Sequence, residues 1–261
     1  MMMNKELIRE NKGGTVYFRS PDITAVHGFS TRLGGVSKAP HLSEMNLGKN
    51  LGDDPESVEE NYRRIAKAIG FDENNVVFTN QIHSNTVKYV TEADIGNTYD
   101  CDGLVSDKKG VVLAVRTADC VPILLYCEKC AAAVHAGWRG TANSIQINAV
   151  NEMVRLGADP KEIKAAIGAC IHKCCYEVGG DFCDSLYELL GRELALRHIE
   201  KRGDRVYCDL VSLNKEMLIS AGIRDENITA SLDCTCCNSE LYFSHRASKG
   251  KRGVMSAFIC L

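Results

Sequence analysis

Apolar positions along this chain follow two rhythms, and each predicts a different kind of element. Between 57 and 69, SVEENYRRIAKAI carries an apolar stripe at helical spacing, and Gly70 supplies a stop. Shorter apolar runs bounded by polar residues or glycine read as strands. TVYFR (15–19) and ITAVHGFS (23–30) come first, followed by a Gly-rich loop, TRLGGVS (31–37). Six more strand candidates come in quick succession: NVVFTNQ (75–81), TVKYVTE (86–92), GLVSD (103–107), GVVLAVRT (110–117), VPILLY (121–126) and AAAVHAG (131–137). Residues 141–156, 181–200 and 213–221 are predicted helices, and KAAIGAC (164–170) a further buried strand. NITASLD (227–233), LYFSHR (241–246) and VMSAFICL (254–261) close the chain as strands. Strands outnumber helices but interleave with them, so the pattern predicts a mixed α/β core without the regular alternation of a Rossmann sheet. No Pro/Ser/Gly tract, charge run or repeat divides the sequence, and residues 1–261 are expected to form a single domain.

Composition narrows the classes. A chain of 261 residues with 45% hydrophobic content can fill one large core or two small ones. The formal charge is −3 and no dense Lys/Arg run occurs, which argues against nucleic acid as an obligate partner. The short KGKR stretch (249–252) reads as a solvated turn. The N-terminal MMMNKELIRENKGG is polar and lacks the apolar core of a signal peptide, and the longest apolar run, near 121–127, is too short for a bilayer. Thirteen cysteines is a high but odd number, and without a route to an oxidising compartment reduced thiols are the default. A soluble cytoplasmic protein with no membrane partner is expected; the sequence leaves its oligomeric state open.

Three residues stand in distinctive local phrases: His83 in NQIHSNTV (80–87), Cys120 in TADCVPILLY (117–126) and His135 in AAAVHAGWRG (131–140). Two imidazoles and a thiolate make a three-ligand zinc set with one position left for water or substrate, whereas a closed structural site normally needs a fourth protein ligand. The spacings fit no compact zinc finger, so such a site joins several strand ends, as catalytic sites do. Taken singly, His83 and Cys120 have ordinary structural readings, as a loop histidine and a small buried hydrophobe. The same residues also suit a nucleophile pair, Cys120 attacking with His83 or His135 as base. Both readings need a lowered thiol pKa, and the residue types alone leave them open.

Other groups supply possible contacts. Ser30, Arg32, Ser37 and the Gly34 and Gly35 amides form an anion-binding kit suited to phosphate or carboxylate, with a plain glycine turn as the alternative. After His135, the small Ala136 and Gly137 allow close backbone approach, and Trp138 and Arg139 are placed to cover or bind a ligand. Asp102, in DCDG (100–103), shapes a turn or orients a ligand, the turn being the simpler reading. Cys127 and Cys130 form a CxxC expected in a hairpin turn, and CTCC (234–237) is a second patch. With Cys170, Cys174, Cys175 and Cys183 these are weak evidence for a structural zinc or iron–sulfur site, because no second CxxC stands at finger spacing.

Taken together, the phrases resemble the YfiH-like family, once called multicopper polyphenol oxidases or laccase-domain proteins. HGFSTRLGGVS (27–37), NLGKNLGDDPESVEEN (46–61), NQIHSNTV, DGLVSD (102–107), TADCVPILLY, VHAGWRGTA (134–142), CCYEVG (174–179) and FSHR (243–246) match in order over nearly the whole chain. The resemblance implies a layered α/β/β/α domain with mixed sheets and a zinc ion on His83, Cys120 and His135. It implies phosphorolysis of adenosine, inosine, guanosine and S-methyl-5′-thioadenosine with phosphate, and deamination of adenosine. Arg32 and its loop become the first candidates for phosphate or ribose. Zinc deaminases also use a glutamate beside the metal; none lies in these phrases, which leaves Asp102 or Asp119. The chain departs from the family pattern at Ala169 and His172, and Cys236 and Cys237 look like additions. The competing readings are a peptidoglycan-precursor editing hydrolase and a copper-dependent phenol oxidase on the same metal site, a cysteine hydrolase, and a non-catalytic binding protein. Seven histidines in all are too few for a set of multicopper centres.

Overall fold

The computed structural model describes residues 6–261, so MMMNK, at the head of the polar N-terminal stretch, lies outside the described residues. Two mixed sheets stack face to face. The first has seven strands in the order Ile8–Lys12, Thr15–Arg19, Val26–Ser30, Met255–Cys260, Val112–Thr117, Val76–Asn80 and Thr98–Asp100. The second has six: Ile228–Ala230, Lys164–Ile167, Val121–Cys127, Cys130–Ala136, Gly103–Ser106 and Val87–Tyr89.

Side-chain alternation builds the layers. In Val121–Cys127, Leu124 and Tyr126 point between the sheets, while Val121, Ile123 and Leu125 point outward. Cys130–Ala136 divides in the same way, with Ala131 and Ala133 inside and Ala132 and Val134 outside. Leu113, Val115, Ala257 and Ile259 meet them from the first sheet. Both outer faces are covered by helices, which is why these strands read as continuous apolar runs. Helix Pro55–Ile69 packs Val58, Tyr62 and Ile65 on Val112, Ala114 and Phe258 of the first sheet. Helices Ile145–Arg155 and Leu210–Ser220 place Ile145, Met153, Leu213 and Met217 on the second. The expected α/β/β/α layering is the observed one. No helix among the described residues is long and apolar enough to cross a membrane.

The ends of helix Pro55–Ile69 follow from local chemistry. The Asp54 carboxylate accepts from Ser57 N, Pro55 needs no donor at the first turn, and Gly70 closes the helix at φ 104°.

Three expectations change. The helix predicted over 141–156 is two, Trp138–Ala142 and Ile145–Arg155, because Ser144 turns the chain at φ 64°. Residues 181–200 likewise divide at Gly191, and the second half runs into a hairpin, Ile199–Arg202 with Arg205–Cys208. LYFSHR (241–246) is not a strand: the Leu241 and Tyr242 amides both donate to Asn238 O in a local turn, while Tyr242 and Phe243 bury against Ala118 and Met255. Its alternating apolar pattern serves a compact turn rather than a ladder.

Candidate metal centre

Cys120 sits just before strand Val121–Cys127, and His135 lies near the end of its antiparallel neighbour, paired with Pro122. His135 shares the parity of Ala131 and Ala133, so its ring lies on the face between the sheets, where the sandwich opens. His83 comes from the loop after strand Val76–Asn80 of the other sheet. Its backbone is left-handed (φ 58°), as is that of Asp119 beside Cys120 (φ 85°). Such conformations cost about 1–3 kcal/mol in non-glycine residues and persist only where surroundings hold them.

The surroundings do hold them. The fully buried Asp102 carboxylate accepts from the backbone N–H of Ile82 (3.3 Å), His83 (3.1 Å) and Ser84 (2.7 Å), and from the Ser84 hydroxyl (2.8 Å). It also accepts from His135 Nδ1 at 2.9 Å, which leaves Nε2 as the nitrogen that can bind a metal once its proton is displaced. Asp119 is tied by Thr235 Oγ1 and by Arg246 N at 2.7 Å. Asp102 and Asp119 therefore act as braces, and all the oxygens of both carboxylates are engaged.

The ligating atoms of His83, Cys120 and His135 all lie within 4.8 Å of one another. Zinc takes imidazole nitrogen at about 2.0–2.1 Å and thiolate at about 2.3 Å, so one ion fits between three donors at this spread. The rings of His83 and His135 meet edge to face with centroids 5.0 Å apart. Burial lowers the His83 pKa, and the neighbouring His135 charge adds to this. At His135 burial also pulls downward, but the Cys120 sulfur and the Asp102 carboxylate overcome it and raise the value to about 9. Burial works to raise the Asp102 pKa, yet its bonds to His135 and Ser84 hold it below the usual carboxylate range.

Gly137 is required by this crowding. A Cβ there would stand 2.6 Å from His83 Nδ1. Gly137→Ala is expected to push the ring off the ligand position and to lower activity by about tenfold to a hundredfold. Zinc affinity measured beside turnover checks it; unchanged affinity and turnover would show that the His83 loop yields freely.

Two cavities of about 280 Å³ each open on the trio. One is lined by Lys49, Asn80, Gln81 and Arg116 beside all three residues. The other is lined by Asp119, Tyr176, His245 and Arg246 beside His83 and Cys120. Arg252 borders both. Its Nε is buried and has no hydrogen-bond partner among the described residues. Lys249 and Lys251 are exposed as a solvated turn requires, but Arg252 turns inward, so that reading of KGKR fails at its last residue.

Other expected contacts lie elsewhere. The Arg32 guanidinium donates to the carbonyls of Ser43 and Ser239 and stacks 4.7 Å from the Phe243 ring centroid. Ser37 Oγ donates to Asp53 and accepts from Asn61. The Gly34 amide donates to the Glu44 carboxylate at 2.8 Å, so this anion-binding kit already holds an anion of its own chain. A Cβ on Gly35 would stand 2.2 Å from Glu44 O, which shows that the glycine serves close packing. Neither Arg32 nor Ser37 lines either cavity. Arg139 is exposed and stacked on Trp138, near enough to act on His83 by charge but outside both linings. Arg116, Tyr176, His245 and Arg252 were not singled out from sequence; Tyr176 and His245 do fall within the matched phrases CCYEVG and FSHR.

The chain is similar to known proteins over nearly its whole length. The chain is 38% identical to "Purine nucleoside phosphorylase YlmD" of Geobacillus stearothermophilus, over 92% of this chain and 91% of that protein. It is 36% identical to "Purine nucleoside phosphorylase" of Deinococcus radiodurans, over 95% and 94%. The crystal structure of Bacillus licheniformis hypothetical protein YfiH superposes with a TM-score of 0.88 at 30% identity, covering 96% of this chain and 97% of that one. A family model described as multi-copper polyphenol oxidoreductase laccase matches residues 26–261, and the chain belongs to that family.

Proposed function

We propose that this chain, acting as one catalytic domain in the cytoplasm, is a zinc-dependent purine nucleoside phosphorylase that also deaminates adenosine. The observation that carries this reading is a braced His83–Cys120–His135 set open to two cavities that share the half-buried Arg252. Relatives named as purine nucleoside phosphorylases support purine nucleosides with phosphate as the substrate class; within that class the family resemblance implies adenosine, inosine, guanosine and S-methyl-5′-thioadenosine.

Zinc held here would supply Lewis-acid polarisation and activation of water at neutral pH. The chain's own residues do the rest. Arg252, with Arg116 and Lys49 on the same wall, offers positive charge for phosphate near C1′ of the ribose. Tyr176 gives an aromatic surface for the base in the second cavity, and the His245 imidazole in the same lining is offered as the group that passes a proton to the leaving purine. Asp102 and Asp119 orient the site and are too fully engaged to shuttle protons.

A His₂Cys set also suits copper, but electron-transfer copper sites of that kind add a long axial methionine or similar ligand. No methionine lines either cavity, and the Gln81 amide in the first is spent on the Arg116 backbone. Of the other histidines, His27 bonds Ser20 N and Ala25 O, and His198 bonds Ser212 and Glu216, so no second imidazole cluster forms among the described residues. Zinc is the better fit.

Zinc-loaded protein given adenosine and phosphate should release adenine and ribose 1-phosphate, with inosine from deamination, as read by chromatography. Omitting phosphate should stop formation of adenine and ribose 1-phosphate while inosine still forms. Silence from fully metallated protein would reject the purine reading in favour of a different substrate. Arg252→Ala should raise the KM for phosphate about tenfold or more, the worth of a charged hydrogen bond, while zinc content stays constant. An unchanged phosphate KM would remove Arg252 from the phosphate site.

A further inference from the structure

A second cluster lies outside the machinery just described. Cys174, Cys175, Cys234 and Cys237 bring four free thiols to one spot, all within 4.8 Å of one another. Two tight turns face each other there. In one, Cys175 N and Tyr176 N both donate to His172 O; in the other, Asn238 N donates to Cys234 O. A short parallel bridge, Cys170 with Cys234, and a bond from Thr235 N to Cys170 O hold the turns in register. The Cys237 sulfur stands 3.5 Å from Cys174 and 3.3 Å from Cys175.

We propose that Cys174, Cys175, Cys234 and Cys237 bind a zinc ion as four thiolates, forming a structural metal site that ties the 172–176 turn to the 234–238 turn. A zinc–sulfur bond of about 2.3 Å in a tetrahedron sets sulfurs roughly 3.8 Å apart, close to the spacing here. A spread of 4.8 Å suits one ion, because a cluster of several irons would push its cysteine sulfurs farther apart. A disulfide is the poorer fit: Cys237 has two sulfurs at nearly equal distance, and bonding either one strands the other. The backbone N–H of His172 donates to the Cys234 sulfur at 3.4 Å and fixes its place in the cluster. Four thiols give up four protons on binding, and the resulting ZnS₄ unit carries two negative charges. Lys173 adjoins it in sequence, Arg202 is close enough to feel the charge of Cys174, and Arg246 donates to the carbonyls of Cys175 and Glu177.

The ion would act as a strut behind one wall of the second cavity. Tyr176, on that wall, follows Cys175 directly, and Thr235, which follows Cys234, holds the Asp119 carboxylate beside Cys120. This assignment stands apart from the purine reading, since none of the four cysteines belongs to the His83–Cys120–His135 set.

The test uses the full chain prepared with zinc and a reductant. Elemental analysis should find one equivalent of zinc fewer in Cys174→Ser/Cys237→Ser than in wild type. Cobalt loaded into Cys120→Ala should show strong thiolate-to-cobalt absorption, and adding the double serine change should abolish it. In wild type alone, zinc should slow alkylation of Cys174, Cys175 and Cys237 at least tenfold relative to chelator-stripped protein, as followed by peptide mass spectrometry. Cys236, outside the four, is the internal control and should label at the same rate in both. Equal zinc in wild type and the double variant, or metal-independent labelling of the three thiols, would overturn the assignment even if the variant folded poorly.

Discussion

Cys120→Ala is expected to abolish nucleoside turnover and to remove one equivalent of zinc while the fold survives. The side chain is half-buried before a strand, so trimming its sulfur leaves the two-sheet core intact. What disappears is the only thiolate of the open site. Zinc in four-ligand peptide sites binds with about 10–16 kcal/mol, so one ligand accounts for roughly 3 kcal/mol, a hundredfold or more in affinity. Two imidazoles alone would hold the ion loosely and in no fixed position. Because Cys174, Cys175, Cys234 and Cys237 form a separate thiol cluster, total zinc should fall by one equivalent rather than to zero. Turnover at saturating zinc, paired with elemental analysis, decides the matter: wild-type rates in this variant would sink both the metal assignment and the nucleophile alternative.

Asp102→Asn should weaken zinc binding by about tenfold to a hundredfold, the usual effect of losing a partner behind a ligating histidine. The carboxylate serves five donors at once: three backbone amides, the Ser84 hydroxyl and His135 Nδ1. An asparagine presents one oxygen and one NH₂ group, so whichever way it turns, N–H faces N–H on one side. That side is either the His83 amide with the His135 ring, which share Oδ1, or the Ile82 and Ser84 amides, which share Oδ2. An unsatisfied buried donor costs about 1–3 kcal/mol, so thermal stability should fall along with affinity. Competition with a chromophoric chelator reads the affinity directly. If turnover fell while affinity held, Asp102 would be acting on substrate and not as a positioning residue.

Much of this architecture was legible in the chain. Helix Pro55–Ile69 announces itself through its apolar stripe and Gly70, and the strands through short apolar runs such as VPILLY, continuous because both faces of the strand are covered. The trio stood out because imidazole and thiolate are the side chains that bind zinc, each in an unusual phrase. The errors share a cause. LYFSHR alternates like a strand, but Tyr242 and Phe243 find a pocket over Met255 that makes a folded turn more favourable. Arg32 and the GlyGly pair look like an anion site until Glu44 and two carbonyls are seen to occupy them. Arg252 sits among exposed lysines in sequence, yet it alone is turned inward.

The sequence by itself determined which segments form strands and helices, which faces must be buried, and which atoms are able to ligate a metal. Those properties reside in single residues and in their spacing over a few positions. Only the tertiary structure decided which distant groups meet and which lose water. Asp102 became the common brace for His83 and His135 because two sheets close over it, and four scattered cysteines converged because two loops pack together. Desolvation and proximity depend on the whole packed chain, and no local pattern encodes either.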